Sequence, residues 1–445
     1  MRVVYKRCAG LDVHKKTVVA CRRWTKEGGD VETEVKTFGT TTPELLELVD
    51  WLGEWEVTQV AMESTGEYWK PVFNLLEGNF EVLLVNAQHV KHVPGRKTDV
   101  KDAEWLAELL SYGLLKASYI PAKPQRELRD LTRYRVKLVQ ERTRVVNRVQ
   151  KVLENANIKL ASVASDPLGV SGRQMLAALV AGETDATLMA DLAKGRMRNK
   201  IPELEKALTG IVNDHHRFML AQQLAHIDFV DEQIAEIEVE IGRRVEGMSL
   251  KPSPDNQSGP GSAPDEQKGD ETETQLTWNE AVALLDTIPG INKRTAEAIL
   301  AETGIDMDQF PSAGHLARWA GVAPGNNQSG GKRYSGKTPP GNRALRTTLV
   351  EAAWAAQRTK GTYLSTVYRR LAGRRGKKRA IVAVAHSMLV SIYYMLMRHQ
   401  PYQELGGDYF DQRRKEAKVD YFMRQLQKLG LSVQVEPVPI QIVAG

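Results

Sequence analysis

Cysteine is nearly absent. The 445 residues contain only Cys8 and Cys21, too few for a disulfide framework or a four-cysteine zinc site. A reducing cytosol fits that count. The opening MRVVYKRCAG lacks the long apolar core of a secretory signal. Long uncharged runs are also scarce. The single candidate is 380–397, AIVAVAHSMLVSIYYMLM, which reaches the lower length of a spanning helix. His386, Ser387 and Ser391 interrupt it, so a buried core helix is expected instead. Hydrophobic residues make up 42% and charged residues 26%, proportions of a soluble protein long enough for two or three domains.

Charge is present in clusters. The net charge is +6, from 61 Lys/Arg against 55 Asp/Glu. Residues 123–155 hold ten basic and four acidic residues, 369–379 seven basic and no acid, and 331–346 five basic and no acid. Any one cluster is explained equally well by a solvated helix face. Three of them form the electrostatic footprint of a phosphate-backbone partner.

Residues 1–122 read as mixed α/β. Apolar runs rich in β-formers occur at Arg7–Val13, 17–24, 31–38, 57–63 and 80–87. Short turns (HKK, KEGGD) join the first three into an antiparallel meander. Thereafter strands alternate with the helical patterns PELLELVDWLGEW, EYWKPVFNLLE and TDVKDAEWLAELLSYG. A meander, two α–β steps and a last helix form the ribonuclease H order. There the first strand and the later central strand lie side by side, with the last helix near their ends. Asp12 ends the first run and Glu63 the fourth, while Asp99 and Asp102 share one helical face. Singly, each acid reads as a cap or surface charge. Together they are expected to converge on Mg²⁺, with Mn²⁺ as a substitute, since hard cations take oxygen ligands and paired metals suit phosphodiester chemistry. His14, His89 and His92 are assigned to surface or phosphate contacts, and Tyr68 and Trp69 to packing on the sheet in preference to stacking on a base.

From 125 to 159 the pattern is long, helical and basic. A second long helix near 218–245 carries Leu224, Ile227, Ile234, Ile237 and Ile241 at coiled-coil spacing. Such helices need partners, and dimerisation and an intramolecular antiparallel pair both remain open. Residues 249–275, rich in Pro, Gly, Ser and acid, cannot bury a core and form a flexible acidic linker. Beyond it, WNEAVALLDTIPGINKRTAEAILAETG (278–304) has the form of a helix–hairpin–helix around Ile288-Pro289-Gly290-Ile291. Its turn would offer N–H groups to a phosphate; the plainer reading is an ordinary Pro-Gly turn. The expected division is 1–122, a metal-binding catalytic domain; 123–248, a coiled-coil, dimerisation and nucleic-acid-binding region; 249–275, linker; 276–400, a C-terminal catalytic domain; 401–445, an extension without a functional reading.

Residues 324–342, PGNNQSGGKRYSGKTPPGN, look like the least regular part of the C-terminal half. Ser329 and Ser335 stand there among small residues and cations, where a hydroxyl can attack phosphorus if activated. Composition alone favours ordinary loop serines. Candidate nucleic-acid contacts are Lys332, Arg333, Lys337 and Arg343 here, Gly290 in the hairpin turn, and Arg129 and Arg133 on the basic helix.

The strings GLDVHKK, MESTGEYWKPV…LLVNAQHVKHVPGRKTDVKDAEWLAELLSYGLL and HLARWAGVAPGNNQSGGKRYSGKTPPGNRALRTTLVEAAWAA closely resemble the DEDD transposases of IS-one-ten-type insertion sequences. The resemblance runs from about residue 9 to 397, except over the 249–275 insert. It implies a RuvC-like N-terminal domain in which Asp12, Glu63, Asp99 and Asp102 are the DEDD residues. It also implies a serine nucleophile at Ser329 and a covalent phosphoserine intermediate with DNA. The family's recombinases are guided by a structured bridge RNA and assemble as tetramers with composite sites. The implied setting is the cytoplasm of a prokaryotic cell, at the nucleoid. Two rival readings remain: a junction-resolving, metal-dependent nuclease without a covalent intermediate, and a non-catalytic nucleic-acid scaffold.

Overall fold

The computed structural model describes residues 2–63, 66–85, 102–249, 276–325, 327–413 and 415–431. The chain divides into two compact units, Met1–Pro121 and Ala122–Gly445.

The first unit is a five-stranded mixed sheet of order β3-β2-β1-β4-β5. The strands are β1 (Arg7–Val13), β2 (Thr17–Thr25), β3 (Val31–Gly39), β4 (Gln59–Glu63) and β5 (Glu81–Val85). β1 to β3 form the antiparallel meander, and β4 and β5 extend the sheet in parallel from β1. Period-two alternation assigns the two faces. Ala9, Leu11, Val13, Val60 and Met62 pack with α1 (Thr42–Gly53) and α2 (Trp69–Leu76). Cys8, Ala61 and Cys21 pack on the opposite face against α3 (Asp102–Ser111). Trp69 joins the first core, edge-on to Phe73 at 5.6 Å, whereas Tyr68 is exposed.

Gly10 sets the distance between sheet and helix. A Cβ there would lie 2.2 Å from the Ala103 carbonyl oxygen and 2.4 Å from the Ala107 nitrogen, so only glycine lets α3 settle on β1. Beside it the Cys8 thiol donates to the Ala107 carbonyl at 3.5 Å, and burial pushes its pKa up to about 12. That thiol is inert. Both cysteines are free and buried.

In the second unit, α4 (Lys123–Asn155) and α7 (Asp214–Ser249) pair with each other as an antiparallel hairpin. Arg142 bonds Asp231 (Nε to Oδ1 2.5 Å), Glu141 meets His226 at 3.3 Å, and Glu127 pairs with Arg244. Of the two partnerships the periodicity allowed, this is the intramolecular one. Leu138, Val230 and Ile234 fill the seam. Where the hairpin turns, α5 (Val170–Ala181), α6 (Ile201–Leu208) and shorter turns close a core around Leu153, Leu160, Met175, Leu176, Leu204 and Leu220.

The longer helices that follow are α8 (Trp278–Asp286), α9 (Lys293–Thr303), α10 (Ala313–Trp319), α11 (Arg343–Ala356), α12 (Tyr363–Arg375), α13 (Lys377–Arg398) and α14 (Lys415–Lys428), with a short turn of helix at Tyr409–Arg413. Their starts follow capping chemistry. Thr277 and Glu280 make a capping box, and Asn292 and Asn342 accept from the backbone of Thr295 and Leu345. Among the described residues α13 is the one helix long and apolar enough to cross a membrane. It runs through this unit's interior, with ten residues from Ala380 to Leu396 buried. The Tyr393 hydroxyl donates to the Phe310 carbonyl at 3.1 Å.

Candidate active site and nucleic-acid surface

Asp12 and Glu63 end on neighbouring parallel strands. The last registered pair before them is Leu11 with Met62. Asp12 continues the face of Cys8 and Gly10, and Glu63 that of Ala61, so both are set toward the side on which α3 packs. Asp102 lies in the first turn of α3. Three carboxylates are thus brought to one end of one sheet face. Asp99 lies outside the described residues. Carboxylates are the hard oxygen donors that Mg²⁺ takes. Among the described residues, no three His, Cys, Asp or Glu side chains stand close enough to hold a metal ion.

His14, assigned to surface or phosphate contacts, is exposed and also bonds Asp12. Its Nε2 lies 3.0 Å from Asp12 Oδ2, with the Asp12 side chain 19% exposed and that of His14 56%. The signal was legible as D-x-H, since residues two apart leave a strand on the same side. His89 and His92 lie outside the described residues.

The stretch expected to be irregular contains a two-stranded hairpin, β6 (Asn327–Ser329) and β7 (Lys332–Ser335). Gly330 and Gly331 turn it with φ of +55° and +76°, the left-handed pair that a tight two-residue hairpin needs. Ser329 is therefore the last strand residue before the turn, registered with Lys332. Ser335 Oγ accepts from the Lys337 amide at 3.2 Å. The hairpin's base is closed by backbone-to-backbone contacts. A Cβ on Gly325 would overlap the Lys337 carbonyl, and one on Gly341 would lie 2.4 Å from the Gly321 nitrogen. Lys332, Lys337 and Arg343 are exposed around it, and Arg333 falls in β7.

Residues 331–338, GKRYSGKT, match the nucleotide-loop pattern GxxxxGK[ST] letter for letter. That loop works by wrapping a phosphate between a strand and the helix that follows at once. Here the middle of the pattern is β7, and the next helix begins only at Arg343. The match lacks its structural context.

Arg129 and Arg133, expected to meet phosphate, are turned to α9. Arg129 donates through Nη2 to the Glu302 carbonyl at 2.7 Å, and its Nε lies 3.2 Å from both Ala301 O and Glu302 Oε2. Arg133 takes the same carboxylate in a two-pronged grip, at 2.6 and 2.9 Å. Glu302, 2% exposed, also accepts from Asn342 Nδ2 at 2.6 Å. The carboxylate thus ties α4, α9 and the cap of α11 behind the serine hairpin. Arg135 meets the buried Glu297 at 2.7 Å. Gly290 (φ +89°) approaches Ala352 and Ala356 of α11, where a Cβ would come within 2.5 Å of backbone atoms. Its glycine requirement is explained by helix packing.

Removing the buried carboxylate leaves Arg129 without its countercharge and Asn342 without an acceptor. Glu302→Ala is expected to destabilise the second unit by about 3–5 kcal/mol, read as a denaturation midpoint, with Glu302→Gln losing less. A change below about 1 kcal/mol contradicts a structural role for this cluster.

A family model described as a transposase, of the DEDD type of IS110 elements, matches residues 9–158. A second, the transposase IS116/IS110/IS902 family, matches residues 282–369. The transposase for insertion sequence element IS1111A of Coxiella burnetii is 23% identical over 401 residues, covering 88% of this chain and 90% of that protein. A probable family 20 transposase of Pseudomonas aeruginosa is 24% identical over 403 residues, 88% of this chain and 94% of its own. The pilin gene-inverting protein of Moraxella bovis is 31% identical over 129 residues, 28% of this chain and 40% of its own. The chain is an insertion-sequence DNA transposase. It belongs to the IS110 family, whose two models match its N-terminal and C-terminal parts.

Proposed function

We propose that the chain cuts and rejoins DNA through a covalent phosphoserine intermediate, with Ser329 as the nucleophile and Asp12, Glu63, Asp99 and Asp102 as holders of Mg²⁺ or Mn²⁺. The placement of Asp12 beside Glu63, on the sheet face that α3 covers, carries this reading. The strand order β3-β2-β1-β4-β5 supports a ribonuclease H, RuvC-like assignment. The similarity to a protein named for inverting a gene supports recombination with rejoining.

Asp12, Glu63, Asp99 and Asp102 would hold the divalent ion, which would supply positive charge for phosphodiester chemistry. Ser329 Oγ forms a bond to phosphorus as the bond from phosphorus to the 3′ oxygen breaks. The serine proton passes to solvent, and the 3′ oxygen takes up a proton to become a free hydroxyl. Lys332, Arg333, Lys337 and Arg343 position the DNA backbone, with charge balance at the phosphate the second role open to Lys332 and Arg333. Attack by another strand's 3′-hydroxyl reverses the step and restores the serine, so rejoining needs no nucleotide hydrolysis. The α8–α9 pair is read as a helix–hairpin–helix contact to nucleic acid through residues other than Gly290, which seats α11. A structured guide RNA selects the sites, and the working assembly is a tetramer with composite sites.

The test is covalent capture with donor and target DNA, Mg²⁺ and RNA transcribed from the element's flanks. Ser329→Ala should lose the protein–DNA adduct, while Ser335→Ala should retain it. The reverse pattern would reassign the nucleophile, and clean cleavage without an adduct would mark a hydrolytic nuclease. Unchanged activity after nuclease removal of RNA would sink the guide.

A further inference from the structure

The ten basic residues of α4 divide into groups with different surroundings. Arg129, Arg133, Arg135 and Arg142 face acids of α7 and α9. Lys137, Arg144, Arg148 and Lys151 are all exposed. None of these four forms an ion pair among the described residues. Their spacings of seven, four and three residues place them within about 60° of one another around the helix, in a straight row ~21 Å long. Exposed Gln140 and Asn147 flank the row. The acids nearby are occupied: Glu141 by His226, Asp231 by Arg142, Asp228 by Arg173 and Glu154 by Lys159. Asp130, in line with the row, stands about 10 Å before Lys137.

We infer that this row is a docking ridge for the phosphate backbone of double-stranded DNA. Four unpaired cations on a rigid, self-partnered helix keep their full charge for an external polyanion. DNA is the occupant because transposition obliges the chain to hold it, and ~21 Å of duplex carries about twelve phosphate charges. The amides of Gln140 and Asn147 can donate to phosphate oxygens. Phosphate contacts of this kind carry no sequence information, so the contact made by the four cations is sequence-independent, although exposed Tyr134 stands one turn before Lys137. The inference rests on the proposed function only in taking DNA as the substrate.

The experiment measures equilibrium binding of the full chain to a duplex of unrelated sequence between 50 and 200 mM salt. In the variant Lys137→Gln, Arg144→Gln, Arg148→Gln, Lys151→Gln, the slope of log K against log salt should flatten by about 3.6, roughly 0.9 per lost phosphate contact. Glutamine is a good helix former, so the circular dichroism spectrum and melting temperature should stay at wild-type values. The single variants Arg144→Gln and Arg148→Gln should each flatten the slope by about 0.9, which keeps the claim testable if the quadruple variant folds poorly. Slopes that stay at the wild-type value overturn the ridge. So does a slope change seen only with structured RNA from the element's flanks. Asp12→Asn separates the two claims: it should retain the wild-type slope, and a wild-type chain that never cleaves would sink the catalytic reading while leaving the ridge standing.

Discussion

Asp12→Asn should lower DNA strand cleavage by about 10³-fold or more while leaving the first unit folded. Asparagine keeps the shape of the side chain and an oxygen for the hydrogen bond from His14, now made at 3.0 Å. The two strands beside it are held by β-ladder bonds and by the cores on either face, none of which involves this carboxylate. What disappears is one negative charge at the point where strand ends and helix start meet, and with it part of the hold on a divalent ion. DNA binding should persist or tighten, because a carboxylate without its cation repels phosphate. Cleavage within tenfold of wild type, measured in Mg²⁺, would remove Asp12 from the proposed site.

Gly10→Val should destabilise the first unit by about 4 kcal/mol or more, enough to leave much of it unfolded at physiological temperature. The added Cβ alone would stand 2.2 Å from a backbone carbonyl and 2.9 Å from the Leu106 Cβ. Neither neighbour is the far end of a flexible chain, so relief requires α3 to move away from β1. That movement opens the core around Cys8, Ala61, Leu106 and Leu110 and carries Asp102 away from Asp12. Gly10→Ala should show the same effect at smaller size. Urea denaturation followed by circular dichroism, with cleavage assayed alongside, checks both consequences. A valine variant as stable as wild type would mean that the sheet and α3 are not packed as described.

The N-terminal half was legible because its signals are local. Alternating apolar runs located β1 at its observed bounds and β2 to β5 within two residues, and short polar turns distinguished the meander from the parallel additions. From that order alone, β1 beside β4 and the neighbouring Asp12 and Glu63 followed. The 123–155 helix was equally clear, but the roles of its cations were not. Arg129 and Arg133 face Glu302, about 170 residues away in the sequence, and periodicity gives a face without saying what covers it. The same limit applies to Gly290, which reads as a phosphate-binding turn and serves as a seat for α11. The serine hairpin was missed for a different reason. Its strands have three and four residues, too short for alternation to register, and Gly330-Gly331 was the one available sign.

The most direct test of the account is to locate the phosphorus–protein bond. Wild-type chain would be reacted with target DNA, Mg²⁺ and flank-derived RNA, denatured, digested with nuclease and protease, and the nucleotide-bearing peptide sequenced by mass spectrometry. A single modified peptide carrying the nucleotide on Ser329 is expected, absent from the Asp12→Asn reaction. A nucleotide on another residue, or cleaved DNA with no modified peptide, would contradict it.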